Sequence, residues 1–301
     1  MNRGFWAVFG SFVIWGLLPI YWHQLRQVPA MQIVAHRVVW CALLVVGYLT
    51  LRHGRGWLRE TLRRPRVPLL LAISSVLISC NWGLYIWSVN HGHVVEASLG
   101  YFVNPLVNVM LGVLLLHERL NRVQWTAVGI AAAGVAYLTV QLGALPWIAL
   151  WLAFSFGFYG LIRKVAAVEA IPGLGVESLY LVLPALAYLL FVQSNGSGVF
   201  GRLDLLHDAM LVVGGAITAV PLVWFAYGAR RIAYSVVGLV QYVGPTLQLL
   251  IGAVLFGEPF SRVQACGYAI IWAALAIYTA DGLLRARLRD AGAGLPVTEP
   301  E

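Results

Sequence analysis

Charge is scarce in this sequence. Only 11% of its 301 residues are charged, while 60% are hydrophobic; a soluble domain carries about 25% charged residues. So little charge cannot cover a water-soluble surface, which excludes a soluble fold and leaves a polytopic membrane protein. Cysteine is nearly absent. Cys41, Cys80 and Cys266 all lie inside apolar runs and form no Cys-x-x-Cys pair, so they read as small packing residues, not as metal or redox ligands. No Gly-rich phosphate loop ending in Lys-Ser/Thr occurs, which argues against an ATP-driven pump. There is no His-Glu-x-x-His, no Gly-x-Ser-x-Gly and no paired Asp cluster. His91-Gly-His93 offers two ligands where a metal site usually takes three or four. Neither a cofactor nor an enzyme is expected.

Long apolar runs are what the chain does have. A helix needs about 20 apolar residues to cross the hydrocarbon core. Ten such runs are present, at about 4–22, 31–51, 67–90, 94–116, 123–141, 144–162, 173–193, 209–228, 233–256 and 263–282. The first has one preceding basic residue, Arg3, and no small-x-small cleavage pattern, so it reads as a retained helix. The net charge of +8 sits in the short loops, which points to orientation in a bilayer and not to nucleic acid. Sixteen basic residues fall on the side that holds both termini, three (Arg26, Arg202, Arg262) on the other, and Arg37 inside a run. The positive-inside rule puts both termini in the cytoplasm. The Arg52–Arg66 cluster belongs to this signal, with contact to anionic lipid as a further role. The sequon Asn195-Gly-Ser197 lies in an expected external loop and carries little weight.

One stretch occurs twice. Tyr101 to Gln124 and Gln241 to Gln264 align at an offset of 140 with no gap, and eight of twenty-four positions are identical. Pro105/Pro245, Gly112/Gly252 and Glu118/Glu258 are among them. A period of half the chain means a duplicated bundle. The expected architecture is all-α, with ten transmembrane helices as two inverted five-helix repeats. Residues 1–141 form the first repeat, 142–285 the second, and 286–301 a disordered cytoplasmic tail. An odd number of crossings per half inverts the second half. Inverted repeats recur in secondary transporters, which open a central site to each side in turn.

The polar residues inside the runs are the candidates for chemistry, because polar groups are costly in a bilayer. Tyr101, Asn104 and Asn108 share one face of the fourth run; the equivalents in the ninth are Gln241, Gly244 and Gln248. Pro105 and Pro245 each free a carbonyl and are expected to kink their helices. Asn81 and Tyr85, with Ser88, share a face of the third run, while Trp82 and Trp87 fall on others. The eighth offers Trp224 and Tyr227. The expected substrate site is Asn81, Tyr85, Tyr101, Asn104, Asn108, Trp224, Tyr227, Gln241 and Gln248. The plainer reading is helix–helix bonding by amides. Most aromatics read as packing or interfacial belt, Trp15, Trp22 and Trp147 among them.

Arg37, Glu96 and Glu177 are the candidate gating or coupling residues. Arg37 lies about two turns into the second run. It either snorkels to the interface or meets Glu96 at the outer mouth. Glu177 is placed to bind a proton or a cationic group. Glu118 and Glu258 end the fourth and ninth runs at the water boundary and read as structural, each capping the start of the next helix.

The chain resembles the drug/metabolite transporter superfamily in its EamA-type branch, over about residues 4–282, and most closely the RarD group often labelled chloramphenicol-sensitive. The likeness rests on Trp15-Gly16-Leu17-Leu18-Pro19, His36-Arg37 with Trp40, Asn81-Trp82, Trp87, the block from Gly92 to Leu106, and Gln241 to Thr246. It implies a carrier of the bacterial inner membrane that hydrolyses no ATP. It implies no particular substrate, and the label is not read as chloramphenicol transport. The expected function is secondary transport of a small organic solute, an amino acid-like metabolite being one example, with proton or cation coupling. Two rivals stand beside it: a non-transporting component that modulates another protein, and an intramembrane enzyme on a lipid-linked substrate.

Overall fold

The computed structural model describes residues 3–117, 120–166, 168–229, 231 and 240–293. The chain is an all-α polytopic membrane protein, with no strand among the described residues. Its helices are α1 (Arg3–Gln24), α2 (Ala30–His53), α3 (Gly56–Thr61), α4 (Val67–Asn90), α5 (Val94–Leu116), α6 (Arg122–Leu142), α7 (Trp147–Ala166), α8 (Ala170–Ser194), α9 (Leu205–Ala229), α10 (Val243–Leu250) and α11 (Arg262–Ala293). A π-helical turn, Ile251–Leu255, continues α10. Eight helices are long and apolar enough to cross a membrane, and Trp147–Arg163 and Val243–Leu255 are shorter apolar helices. All ten apolar runs therefore carry helix.

The outward faces explain why the sequence is so apolar. Leu43, Leu44, Leu51, Leu69, Val140, Leu183 and Leu190 are exposed. Apolar surface on this scale is stable only against lipid. Inward faces form three main clusters. One joins α5, α6, α7 and α11 around Phe102 and Tyr268. A second joins α1, α2, α4 and α9 around Trp22 and Ile86. The third joins α2, α3 and α8 around Leu49 and Trp57. The short helix α3 forms because Trp57 and Leu58 interrupt the arginine cluster and Trp57 buries itself against Gly175 of α8.

The helix pairings carry a pattern. Exchange α1 with α7, α2 with α8, α4 with α9, α5 with α10 and α6 with α11. Then α1–α9 becomes α7–α4, α1–α10 becomes α7–α5, and α2–α9 becomes α8–α4, all present in the structure. The pairs α2–α8, α5–α10 and α6–α11 map onto themselves. These major pairings join a helix of the first half to one of the second.

The doubled stretch also repeats in local detail. Asn121 and Gln124 form a reciprocal capping box at the start of α6. Ser261 and Gln264 form one at the start of α11, with Ser261 N–H donating to Gln264 Oε1 at 2.7 Å and Gln264 N–H to Ser261 Oγ at 3.2 Å. The shared Gln is thus an N3 residue that satisfies an orphan N–H. At the other end, α5 stops on His117 with φ +55°, and the second copy turns on Gly257 with φ +66°. Both positions need the left-handed conformation that ends helices.

Two expectations need correction, and at the prolines the two copies differ: α5 is helical without a break through position 105, whereas the second copy has a turn at Gln241-Tyr242, one turn before Pro245. Proline removes a bond to the preceding turn, but the neighbouring helices decide whether the ladder opens there. The tail expected from 286 is helical to Ala293, because Arg, Leu and Ala favour helix; residues 294–301 lie outside the described residues. Finally, Glu258 caps a different helix from the one expected. Its Oε1 accepts from Val94 N–H at 2.8 Å and its Oε2 from Val95 N–H at 2.7 Å. It closes the N-terminus of α5, not α11, whose own box already serves it. Glu118 lies outside the described residues.

Candidate substrate site

The expected amides face inward and are committed to neighbouring helices. Asn81 Nδ2 donates to Leu152 O at 3.0 Å and Ser155 Oγ at 2.8 Å, tying α4 to α7. Asn104 Nδ2 donates to Ala153 O at 3.1 Å, tying α5 to α7. Asn108 Nδ2 donates to Asn104 Oδ1 at 2.9 Å. Gln248 Nε2 donates to Trp15 O at 3.2 Å, tying α10 to α1. The α5–α7 and α10–α1 pairs are partners under the helix exchange, and each is bonded by an amide, although from non-equivalent positions: Asn104 aligns with Gly244, and Gln248 with Asn108. This is the plainer reading of the polar face, but it leaves acceptors over. Asn81 Oδ1 and Gln248 Oε1 are buried without a hydrogen-bond partner among the described residues. A buried polar atom left unpaired costs free energy and asks for an explanation.

The remaining expected residues divide. Tyr85 is buried, and its ring lies 5.7 Å from that of Tyr101 at 75°. Gln241 is half-buried at the break before α10. Trp224 and Tyr227 are 45% and 41% exposed and do not join the amides. Trp224 lies against Gly10 of α1, and Tyr227 faces the Arg231 guanidinium at 3.7 Å.

Arg37 is the centre of the arrangement. It is 5% exposed and does not snorkel. Its Nε donates to Thr218 Oγ1 of α9 at 2.5 Å. Its guanidinium carbon lies 4.0 Å from the Trp82 ring centroid and 5.4 Å from that of Trp22. Faces of indole rings attract a cation through their quadrupole. Tyr85, Tyr101 and Cys41 are near enough to feel the charge. Arg37 Nη1, Tyr85 OH and Trp22 Nε1 are all buried without a hydrogen-bond partner among the described residues. Trp22 is therefore no belt residue: it is 1% exposed, and closeness to the end of a run misled the sequence reading. Trp82 and Thr218 were not anticipated either. Trp82 follows Asn81 and so falls off its face, yet α2 packs on that side of α4.

Glu96 does not meet Arg37. Its Oε1 accepts from Ile148 N–H at the start of α7 at 3.3 Å, and its Oε2 lies 3.9 Å from His93 Nδ1. A carboxylate is favoured at a helix N-terminus, and α7 offers one where the helix exchange brings it beside α5. Glu177 is 1% exposed and held by three side chains from two helices, α4 and α7. Ser74 Oγ donates to it at 2.6 Å, Tyr159 OH at 3.3 Å, and Arg163 Nη1 lies at 3.8 Å. Buried acids in a bilayer are normally paired in this way. No group of His, Cys, Asp and Glu suited to a metal occurs among the described residues. A separate cavity of about 170 Å³ lies between α2 and α8, lined by Gln32, His36, Leu186, Leu190, Gln193 and Phe200.

Known proteins resemble this chain in sequence and in fold. The family model described as EamA-like transporter family matches residues 2–140. Protein RarD of Streptomyces exfoliatus is 46% identical, over 93% of this chain and 89% of its own. An uncharacterized transporter of Pseudomonas aeruginosa is also 46% identical, over 93% of this chain and 94% of its own. Protein RarD of Escherichia coli is 40% identical, over 95% and 97%. One solved crystal structure superposes with a TM-score of 0.61 at 20% identity, covering 93% of this chain and 98% of the other, which extends the likeness to the fold. On this sequence and fold, the chain belongs to the EamA-like transporter family and, within it, to the RarD group.

Proposed function

We propose that the protein is a secondary carrier for a small organic solute, amino acid-like metabolites included, in the bacterial inner membrane. Residues 1–141 and 142–285 act as two inverted five-helix repeats with both termini cytoplasmic, and alternating access follows from rocking of one against the other. The helix exchange carries this reading most directly. Two packings that map onto one another under exchange are close in energy, so swapping which half adopts which opens the opposite side. The asymmetry of loop charge supports the orientation. The break at Gln241-Tyr242 and the π turn that follows α10 give the ninth run, unlike its counterpart α5, places to bend. The solute lies between α4, α5, α9 and α10 with α1 and α2; Arg37 Nη1, Tyr85 OH, Asn81 Oδ1 and Gln248 Oε1, all without partners among the described residues, support this. It drives the exchange only as far as it binds the two states differently.

Glu177 is the site of proton or cation coupling in this reading, because it is the most deeply buried acid among the described residues and is held by donors from α4 and α7. Purified protein in sealed vesicles, given a metabolite mixture with imposed pH or Na+ gradients, tests the carrier. Accumulation of particular solutes is expected, and Asn108→Ala and Gln248→Ala are each expected to reduce it while leaving folded protein. No solute-specific accumulation under any gradient would favour a non-transporting component instead.

A further inference from the structure

A guanidinium buried inside a membrane bundle normally faces a carboxylate, and Arg37 has none among the described residues. Twelve acidic residues are present, and three of those inside the bundle are already committed: Glu96 to the start of α7, Glu177 to Ser74, Tyr159 and Arg163, and Glu258 to the start of α5. The stretch 232–239 contains no acid. Glu118 lies outside the described residues. The positive charge is held by two indole faces and one threonine hydroxyl, none of which neutralises it. Nη1 has no acceptor among the described residues, and neither has the Tyr85 hydroxyl that lies within range of the same charge.

The geometry points to a carboxylate subsite: Arg37 and Tyr85 receive the carboxylate group of the solute, and Trp22 and Trp82 flank it. Nη1–H and the phenol O–H donate to the two oxygens, forming the charge-assisted pair that the chain itself leaves out. One uncompensated charge suits a monoanion better than a phosphate ester, which carries nearly two. The aromatic walls suit a solute with an apolar or ring portion. Asn81 lies one turn before Tyr85 on α4, and its free Oδ1 accepts from a hydroxyl or ammonium elsewhere on the solute. This assignment rests on the carrier reading, since it names the class of solute carried.

Binding to the purified full chain in detergent tests it without any need for transport. Three probes share a ring and differ in charge: benzoate, phenyl phosphate and benzylamine. Saturable binding of benzoate, read by the quenching of tryptophan fluorescence, is expected, with benzylamine inert and phenyl phosphate weaker. Arg37→Met is expected to abolish benzoate binding. Tyr85→Phe removes only a hydroxyl without a partner, so the protein folds, and affinity falls by on the order of tenfold for the lost hydrogen bond. Equal binding of benzoate and benzylamine, tighter binding of phenyl phosphate, or no saturation by benzoate overturns the subsite. If Arg37→Met does not fold, Tyr85→Phe decides, and an unchanged benzoate affinity refutes the assignment. Vesicle uptake of solutes without a carboxylate leaves the carrier standing and the subsite lost; benzoate binding without uptake of any solute does the reverse.

Discussion

Glu258→Ala is the sharpest probe of how the two halves are joined. The carboxylate accepts from two backbone N–H groups, of Val94 and Val95, at 2.8 and 2.7 Å. It is 8% exposed, so water does not readily replace it. A hydrogen bond to a charged group contributes about 1.5–3 kcal/mol, and a buried donor left unmade costs about 1–3 kcal/mol. Truncation removes both bonds and strands two donors at the positive end of the α5 dipole. Since each donor is counted once, the expected loss is roughly 3–5 kcal/mol. Glu258→Gln keeps one acceptor oxygen and sets an NH2 against the other donor, so it should lose about half as much. Unfolding free energies from denaturant titration in mixed micelles, followed by circular dichroism, give the comparison. Glu60→Ala, at an exposed position of the short helix α3, serves as the control and should stay within about 0.5 kcal/mol. A Glu258→Ala protein within about 1 kcal/mol of the parent would refute the cap. So would a Gln variant equal to the parent, because then charge and the second acceptor contribute nothing.

Other expectations follow from local geometry. His117→Gly should stabilise the protein by about 0.5–1 kcal/mol, because glycine adopts positive φ without the Cβ penalty and already occupies the equivalent Gly257; a loss of stability in the same titration would show that the His117 side chain is needed. Gly100→Ala should destabilise by about 1–3 kcal/mol, since the added Cβ would lie 2.7 Å from Ala149 O on α7; a neutral result means α5 and α7 can separate freely. Asn121→Ala should cost about 1 kcal/mol for the lost cap, and more for its 2.7 Å bond to Asp281; an unchanged midpoint would count against both.

Much of the fold was legible because a bilayer imposes a simple rule on each segment separately. A helix must be long and apolar, and the ten runs declare themselves without knowledge of their neighbours. The capping Gln of each copy has its partner only three residues away, yet the sequence reading gave the capping role to the shared Glu instead. What the sequence concealed was the identity of neighbours. Glu258 pairs with a helix start 164 residues earlier, so the adjacent helix was the natural but mistaken choice. Arg37 announced itself as a charge inside an apolar run, yet its surroundings come from α1, α4 and α9. Trp22 looked interfacial because it ends a run, and Trp82 looked misdirected because only one face of α4 was considered. Helical periodicity fixes which residues share a face; it does not say which helix lies against that face.

The crossing of contacts between halves has a consequence for biogenesis. Helices enter the membrane in chain order, and α1 to α6 arrive first. Their principal partners, α7 to α11, have not yet been made. The early half must therefore wait with Arg37 unscreened by Thr218, the α5 N-terminus uncapped by Glu258 and Ser74 without Glu177. Such a half resembles a subunit awaiting its mate more than a finished domain. Its lifetime in the bilayer, and its capture by quality control if translation stalls near residue 142, depend on how soon the second half is delivered.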